Sequence, residues 1–315
     1  VALGGVEIPM MVNQGYDVPF SVAITAASSC LGPIIPPSVP MIMAATMTGL
    51  SVSKMFMAGI IPGIITAVAL CVTVRIIGLV KPGSIPPGGG PKIPVSEKMK
   101  SLRLLIPILC LFGLIIGGTF AGWFTATVGG AVGAVAVCIY ALCKKMSLKQ
   151  LGACMVDAAV MEAGIFPIIV GGQIFSKFIS DTGLADYLSA AIASVHAPRF
   201  IIFLLVILLY VFCGCVMDIM SIIIITVPVV FPILTGMGYS PYALVIALCF
   251  VAEIAGLTPP IGMNVFATAN ALRINPSDIF RGVVPYFICE IGLILLIGLF
   301  PQIVTFLPTL MGVGG

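Results

Sequence analysis

Hydrophobic residues in this chain come in long runs, and polar residues are confined to the short breaks between them. The runs cover residues 18–49, 55–80, 104–120, 122–143, 155–178, 200–236, 241–271 and 283–310. A membrane-spanning helix needs about 20 apolar residues, so the pattern predicts seven or eight of them. Two runs are interrupted in the middle. Gly32-Pro33-Ile34-Ile35-Pro36-Pro37 breaks the first, and Thr258-Pro259-Pro260 breaks the run 241–271. Asp218 sits inside 200–236, and Pro167 inside 155–178. Residues 181–195 are less apolar and read as a helix near the membrane interface. Residues 81–103 mix Pro, Gly and Lys and read as an exposed loop.

Composition narrows the class. Of 315 residues, 60% are hydrophobic and only 8% are charged, against about 25% charged in soluble domains. A soluble enzyme, a nucleic-acid binder and a disordered chain are excluded, leaving an all-α polytopic membrane protein in a lipid bilayer. The 35 glycines and 24 prolines are many for plain spanning helices and point to interrupted ones. The chain starts at Val1 within an apolar stretch and without a signal-peptide pattern, which reads as a fragment lacking its true N-terminus. The ten cysteines lie mostly in apolar runs (Cys71, Cys110, Cys138, Cys249, Cys289). They read as small buried hydrophobes; the spacing of Cys213 and Cys215 is too short for the usual zinc pair.

An internal repeat organises the chain. A shift of 223 residues superimposes Pro9 on Pro232, Gly15-Tyr16 on Gly238-Tyr239, Pro36-Pro37 on Pro259-Pro260, Gly59 on Gly282 and Pro62 on Pro285. The matches are Gly and Pro, which set backbone shape. If 200–236 is a re-entrant hairpin with Asp218 near its tip, the two broken runs are the first and sixth of seven crossings and run in opposite directions. That is an inverted repeat, common in secondary transporters. Charge gives a separate check. In this topology Arg75, Lys81, Lys92, Lys98, Lys100, Arg103, Lys144, Lys145, Lys149, Arg273 and Arg281 share one side, and Lys54, Lys177 and Arg199 the other. The positive-inside rule then puts loop 81–103 in the cytoplasm and the C-terminus outside.

Proline lacks an N–H and interrupts the helical ladder, so each break frees carbonyls and helix ends at mid-membrane depth. Freed carbonyls and helix C-termini attract Na⁺, and helix N-termini attract anions. Ser28, Ser29 and Ser38 surround the first break; Thr258, Asn264 and Thr268 surround the second. Their oxygens suit hard cations, carboxylates or sugars, although a single Ser or Thr more often bonds its own helix backbone. Asp218 is an intramembrane carboxylate, suited either to function or to capping the following arm. Glu253, five residues before Thr258, reads as facing the same cavity, and Glu290 reads equally as serving helix packing. There is no Ser-His-Asp set, no Walker P-loop and no dinucleotide fingerprint, so the chain is not read as an enzyme or as needing a cofactor.

The run from Ala26 to Pro40, the segment Ala58-Gly59-Ile60-Ile61-Pro62-Gly63 and the segment Gly256-Leu257-Thr258-Pro259-Pro260-Ile261-Gly262 together resemble the large membrane subunit of tripartite ATP-independent periplasmic (TRAP) transporters. The order and spacing hold over the whole chain. The resemblance implies a Na⁺-coupled importer of a small organic anion, such as a C4-dicarboxylate or sialic acid, in the inner membrane. Its partners would be a periplasmic solute-binding protein and a small four-helix membrane subunit. It implies an elevator fold with two hairpins and two broken helices. Ser28, Ser29, Gly32 and Pro37 match a first ion site, and Gly256, Thr258 and Pro259 a second. Asp218, Ser221, Ser38 and Asn264 would lie near substrate. The first hairpin tip would fall just before Val1, so this fragment alone would not transport. Met220 stands where the family more often has a small polar residue, which bears on substrate class.

The expected organisation is a transport-domain piece at 1–50, scaffold and arm helices at 51–197, a second hairpin and broken helix at 198–272, and a C-terminal scaffold helix at 273–315. The runner-up is a stand-alone ion-coupled carboxylate or citrate transporter without a binding protein. A membrane-embedded enzyme or assembly scaffold would need a catalytic dyad on facing helices, which the sequence does not offer.

Overall fold

Local backbone chemistry sets where the helices start and stop. The computed structural model describes residues 4–86, 94–103, 105–194, 198–259, 262, 265, 266, 269 and 275–310. Its regular elements are helices: α1 Gly4–Asn13, α2 Val18–Ser29, α3 Val39–Thr48, α4 Val52–Val80, α5 Val95–Leu102, α6 Ile106–Phe120, α7 Ala126–Cys143, α8 Leu148–Asp181, α9 Leu184–Ser194, α10 Arg199–Gly214, α11 Ile219–Gly236, α12 Pro241–Ala255, α13 Pro276–Leu299 and α14 Gln302–Leu310. Side-chain caps open many of them. Ser51 accepts from Lys54 N, Thr125 from Val128 N, and Asn275 from Ser277 N. At the start of α8, Ser147 and Gln150 exchange bonds in the capping-box manner. Proline occupies the first turn of α2, α3, α6, α12 and α13, where its missing N–H costs nothing.

The protein is a multi-pass membrane protein of all-α class. Among the described residues, five helical segments are long and apolar enough to cross a bilayer: α4, α7, α8, α11 and Ile279–Leu299 of α13. Shorter apolar helices α2, α3, α6, α10 and α12 accompany them.

Residues 1–87 and 171–315 form one unit. Its core sits around α12, whose residues from Ala243 to Ala255 are buried apart from Glu253. A helix apolar on all sides belongs in such a position. It packs against α10, α11 and α13, while α2 packs most closely against α13 and α3 against α11. Residues 88–170 form the other unit. There α6 and α7 pack side by side, and Gly133 makes room for Ile115, whose Cδ1 would lie 2.5 Å from an added Cβ. Leu109 and Val135 remain exposed, as suits residues that meet lipid.

The repeat is visible in the backbone. Gly15 and Gly238, which correspond, both adopt left-handed φ angles of +89° and +86°, at the turns that precede α2 and α12. Pro62 and Pro285 lie inside α4 and α13. Gly59 and Gly282 both mark close approaches: an added Cβ would meet Ile34 O at 2.7 Å in one case and Ala23 Cβ at 2.8 Å in the other.

Several boundaries differ from the sequence expectation. The loop 81–103 contains a helix, α5, which begins just after Pro94. The run 155–178 is a helix from 148 to 181, extended by the Ser147–Gln150 cap. The run 283–310 is two helices, not one. The Asn275 cap starts α13 seven residues early, and Phe300-Pro301 ends it before α14, so the single C-terminal helix expected at 273–315 is corrected to a pair. Proline at 301 cannot donate into the preceding turn, while its carbonyl accepts from Val304 and Thr305 and opens the next helix. Lys92, His196, Pro260, Asn264, Thr268 and Arg273 lie outside the described residues.

Gly59→Ala and Gly282→Ala should each lower the thermal midpoint in detergent, since overpacking costs about 1–3 kcal/mol. Gly292→Ala, with open space around it, should leave the midpoint unchanged or slightly raised. Equal midpoints for all three variants would contradict the close approaches.

Candidate functional site

The first break begins as α2 tightens. The N–H groups of Cys30, Leu31 and Gly32 each donate three residues back, to Ala27, Ser28 and Ser29 carbonyls, at 3.1 Å each. Such 3₁₀-type bonds finish a helix that cannot continue. Pro33, Pro36 and Pro37 then prevent its resumption, and the Pro36–Pro37 bond is cis. The chain re-enters helix at Ser38, whose side chain accepts from Met41 N at 3.4 Å and donates to Pro33 O. One side chain thus caps α3 and ties the break closed.

The second break repeats this geometry. Gly256, Leu257 and Thr258 N–H groups donate to Glu253, Ile254 and Ala255 carbonyls at 3.1, 2.9 and 3.0 Å. The unwinding starts three residues later than the repeat shift would place it, because α12 is one turn longer than α2 before its paired prolines.

Candidate hydroxyls sit on these tightened turns. Ser28 Oγ donates to Thr25 O at 3.2 Å, Ser29 Oγ to Ala26 O at 2.6 Å and Thr258 Oγ1 to Ala255 O at 2.6 Å. The backbone therefore takes each proton, leaving the hydroxyl oxygens with lone pairs for a cation. Ser28, Ser29, Gly32, Pro37 and Pro259 are exposed within the chain, Gly256 is half-buried, and Ser38 and Thr258 are buried. Ser28, Ser29, Gly256 and Thr258 lie at helix C-termini, where the aligned peptide dipoles favour positive charge.

Next to the second break stands the hairpin made by α10 and α11, joined by four residues. It is fastened at three levels. At the base, Tyr239 donates to Arg199 O at 3.3 Å and stacks on Phe203, ring centroids 5.2 Å apart. In the middle, the hydroxyls of Tyr210 and Thr226 are hydrogen-bonded. At the tip, Asp218 Oδ2 accepts from the N–H groups of Met220 and Ser221 at 2.9 and 3.1 Å, and Ser221 Oγ donates to Oδ1. The capping role weighed for Asp218 is the one its oxygens occupy.

The tip docks on the second break. Gly214 lies so close to Ala255 that an added Cβ would be 2.1 Å from the alanine Cβ. Cys215 Sγ lies 3.3 Å from Thr258 Oγ1 and donates to Pro259 O at 3.0 Å. The start of the turn that carries Asp218 thus touches Ala255, Thr258 and Pro259. Ser28, Ser29, Gly32, Pro37 and Ser38 form a second group, and no hydrogen bond among the described residues joins the Ser28 or Ser29 hydroxyl to Thr258. Asn264, the remaining candidate, lies outside the described residues. Among the described residues no cluster of three His, Cys, Asp or Glu could hold a metal ion.

Gly214 and Cys215 were missed in the sequence because the repeat does not reach them and Cys215 was weighed only as a partner for Cys213. A glycine immediately before a helix-to-helix turn was the available signal for a close approach.

Residues 1–303 match the family described as "Tripartite ATP-independent periplasmic transporter, DctM component". The chain is 28% identical over 313 residues to the C4-dicarboxylate TRAP transporter large permease protein DctM of Pseudomonas aeruginosa, covering 99% of this chain and 72% of that protein. It is 29% identical over 312 residues to the sialic acid TRAP transporter permease protein SiaT of Haemophilus influenzae, covering 98% of this chain and 50% of that protein. With the 2,3-diketo-L-gulonate TRAP transporter large permease protein YiaN of Escherichia coli the identity is 28% over 309 residues, covering 96% of this chain and 71% of that protein.

If Asp218 serves mainly as a cap, Asp218→Ala should destabilise by about 0.5–2 kcal/mol, while Asp218→Asn, which keeps an acceptor, should stay near wild type. Thermal midpoints in detergent test this. An equal loss in both variants would mean the charge, not the acceptor, is what matters.

Proposed function

This chain belongs to the DctM component family of tripartite ATP-independent periplasmic transporters, and on that premise we propose that it is the permease subunit of a Na⁺-coupled importer of a small organic anion. The observation that carries the reading is the matched unwinding of α2 and α12 beside proline pairs. Unwound backbone in a membrane is tolerated where it lines a cavity or is covered by protein, and its freed oxygens have coordination chemistry to offer.

In this reading the turns ending α2 and α12 supply the cation ligands: Ser28, Ser29, Gly32 and Pro37 on one side, Gly256, Thr258 and Pro259 on the other. Helix N-termini at Ser38 and at the hairpin tip supply positive dipole ends for an anion. Ser221 and Ser38, with Asn264, offer polar contacts, and Asp218 shapes the tip. A carboxylate that already accepts three hydrogen bonds at a helix N-terminus serves better as a scaffold than as a ligand for another carboxylate. A cation bound beside it would offset the mutual repulsion of substrate and Asp218, which gives Na⁺ dependence a physical origin.

The relatives' names span a C4-dicarboxylate, sialic acid and 2,3-diketo-L-gulonate, so a small carboxylate is the substrate class we assign. The family reading brings a periplasmic solute-binding protein and a small four-helix membrane subunit as partners, with no nucleic acid and no enzymatic step. On this proposal the protein sits in the inner membrane with loop 81–103 in the cytoplasm and the C-terminus in the periplasm, a reading supported by the basic-residue bias. In this reading the hairpin enters and returns from one side, and the hairpin and the two broken helices move as an elevator against the scaffold helices.

Uptake by the complete transporter in proteoliposomes tests the ion ligands. Ser28→Ala and Thr258→Ala should each raise the Na⁺ concentration for half-maximal uptake several-fold, with substrate affinity at saturating Na⁺ little changed. An unaltered Na⁺ dependence in both variants would refute the assignment.

A further inference from the structure

Glu290 lies on α13 with 0% of its surface exposed, and among the described residues neither of its carboxyl oxygens has a hydrogen-bond partner. One turn earlier on the same helix face, the hydroxyl of Tyr286 is also buried and also unpartnered. The two helices that carry the breaks, α2 and α12, both pack against α13. From the end of α2, Cys30 lies within electrostatic range of Glu290; so does Glu253 of α12. Cys30 is the first residue of the first break, and Glu253 O accepts the first tightened bond of the second. Glu253 is a charged group that acts on Glu290.

An ionised carboxylate in this position would forfeit its hydration without gaining a donor or a cation, a penalty of several kcal/mol. A second carboxyl nearby adds repulsion. Neutralisation removes both penalties. Sodium would need several oxygen ligands around it; the side chains placed near Glu290 among the described residues are the Tyr286 phenol, the Cys30 thiol and the Glu253 carboxyl. A proton needs no coordination shell.

We propose that Glu290 is a buried proton-binding site, set where the two helix breaks meet α13. Its chemistry is the simplest balance available: the carboxylate takes one proton from water and becomes a neutral acid. The carboxyl is fully buried, so the proton exchanges when α2 or α12 separates from α13. Proton occupancy and the position of the breaks are thereby linked. The inference requires that the chain span a membrane, and it stands independently of the Na⁺ ligands assigned above.

Infrared spectra of the purified chain in lipid nanodiscs at neutral pH test it, comparing wild type with Glu290→Gln, Glu253→Gln and Glu290→Asp. Wild type should show the C=O stretch of a protonated carboxyl, shifted to lower frequency in D₂O. The band should vanish in Glu290→Gln, which mimics the neutral acid in shape, and persist in Glu253→Gln. In Glu290→Asp it should move in frequency, which keeps the test valid if the glutamine variant fails to fold. Absence of the band in wild type, its persistence in Glu290→Gln, or its replacement by a carboxylate stretch that responds to Na⁺ would overturn the proposal.

Discussion

Every backbone N–H and C=O within a bilayer must find a partner inside the protein. The rest of this structure follows from how that demand is met at the two places where the helical ladder stops. At each, three successive N–H groups shift to the carbonyl three residues back, so donors are satisfied before the prolines arrive. The carbonyls beyond are covered by neighbours brought unusually close. Gly59 comes up against Ile34 at the first break, and Gly214 and Cys215 against Ala255 and Pro259 at the second. Glycine is needed at these contacts because a methyl group would occupy the space of the covering atoms. The breaks and the glycines therefore belong to one device, and the surplus of Gly and Pro in the composition is its trace.

Much of this was legible in the sequence. Apolar runs identified most helices, and the shift that matched Pro36-Pro37 to Pro259-Pro260 located both breaks. The boundaries that escaped were set by caps and by single prolines. Ser147 and Gln150 lengthened α8, Asn275 advanced α13, and Pro301 divided the last run, and hydropathy registers none of these. The site was legible in its residue types but not in its contacts. Ser28, Ser29 and Thr258 are recognisable as small hydroxyls near a break; that each gives its proton to its own helix is a property of the folded turn. The docking of Cys215 on Thr258 joins residues 43 apart and lies outside the repeat, so no periodicity could announce it.

Glu290 shows the limit of reading polar residues by position alone. In sequence it is one acid in an apolar run. In the fold it faces the two elements whose backbone is interrupted, together with a tyrosine that shares its isolation. Asp218, the more conspicuous acid, turns out to be fully engaged in local structure. Exposure and hydrogen-bond accounting separate the two, whereas hydropathy would rank them alike.

The pairing of α2 with α13 has a consequence in time. Translation proceeds at about 5–20 residues per second, and α13 begins at residue 276, nearly two hundred and fifty residues after α2 ends. The twelve-residue α2, too short to hold a bilayer by itself, waits on the order of ten to fifty seconds for the helix that packs against it. During that interval α2 lacks both Gly282 of α13, which packs against Pro19 and Ala23, and the second half of the repeat. The newborn chain must therefore be held by lipid, by insertion machinery or by another subunit until its own C-terminal half emerges.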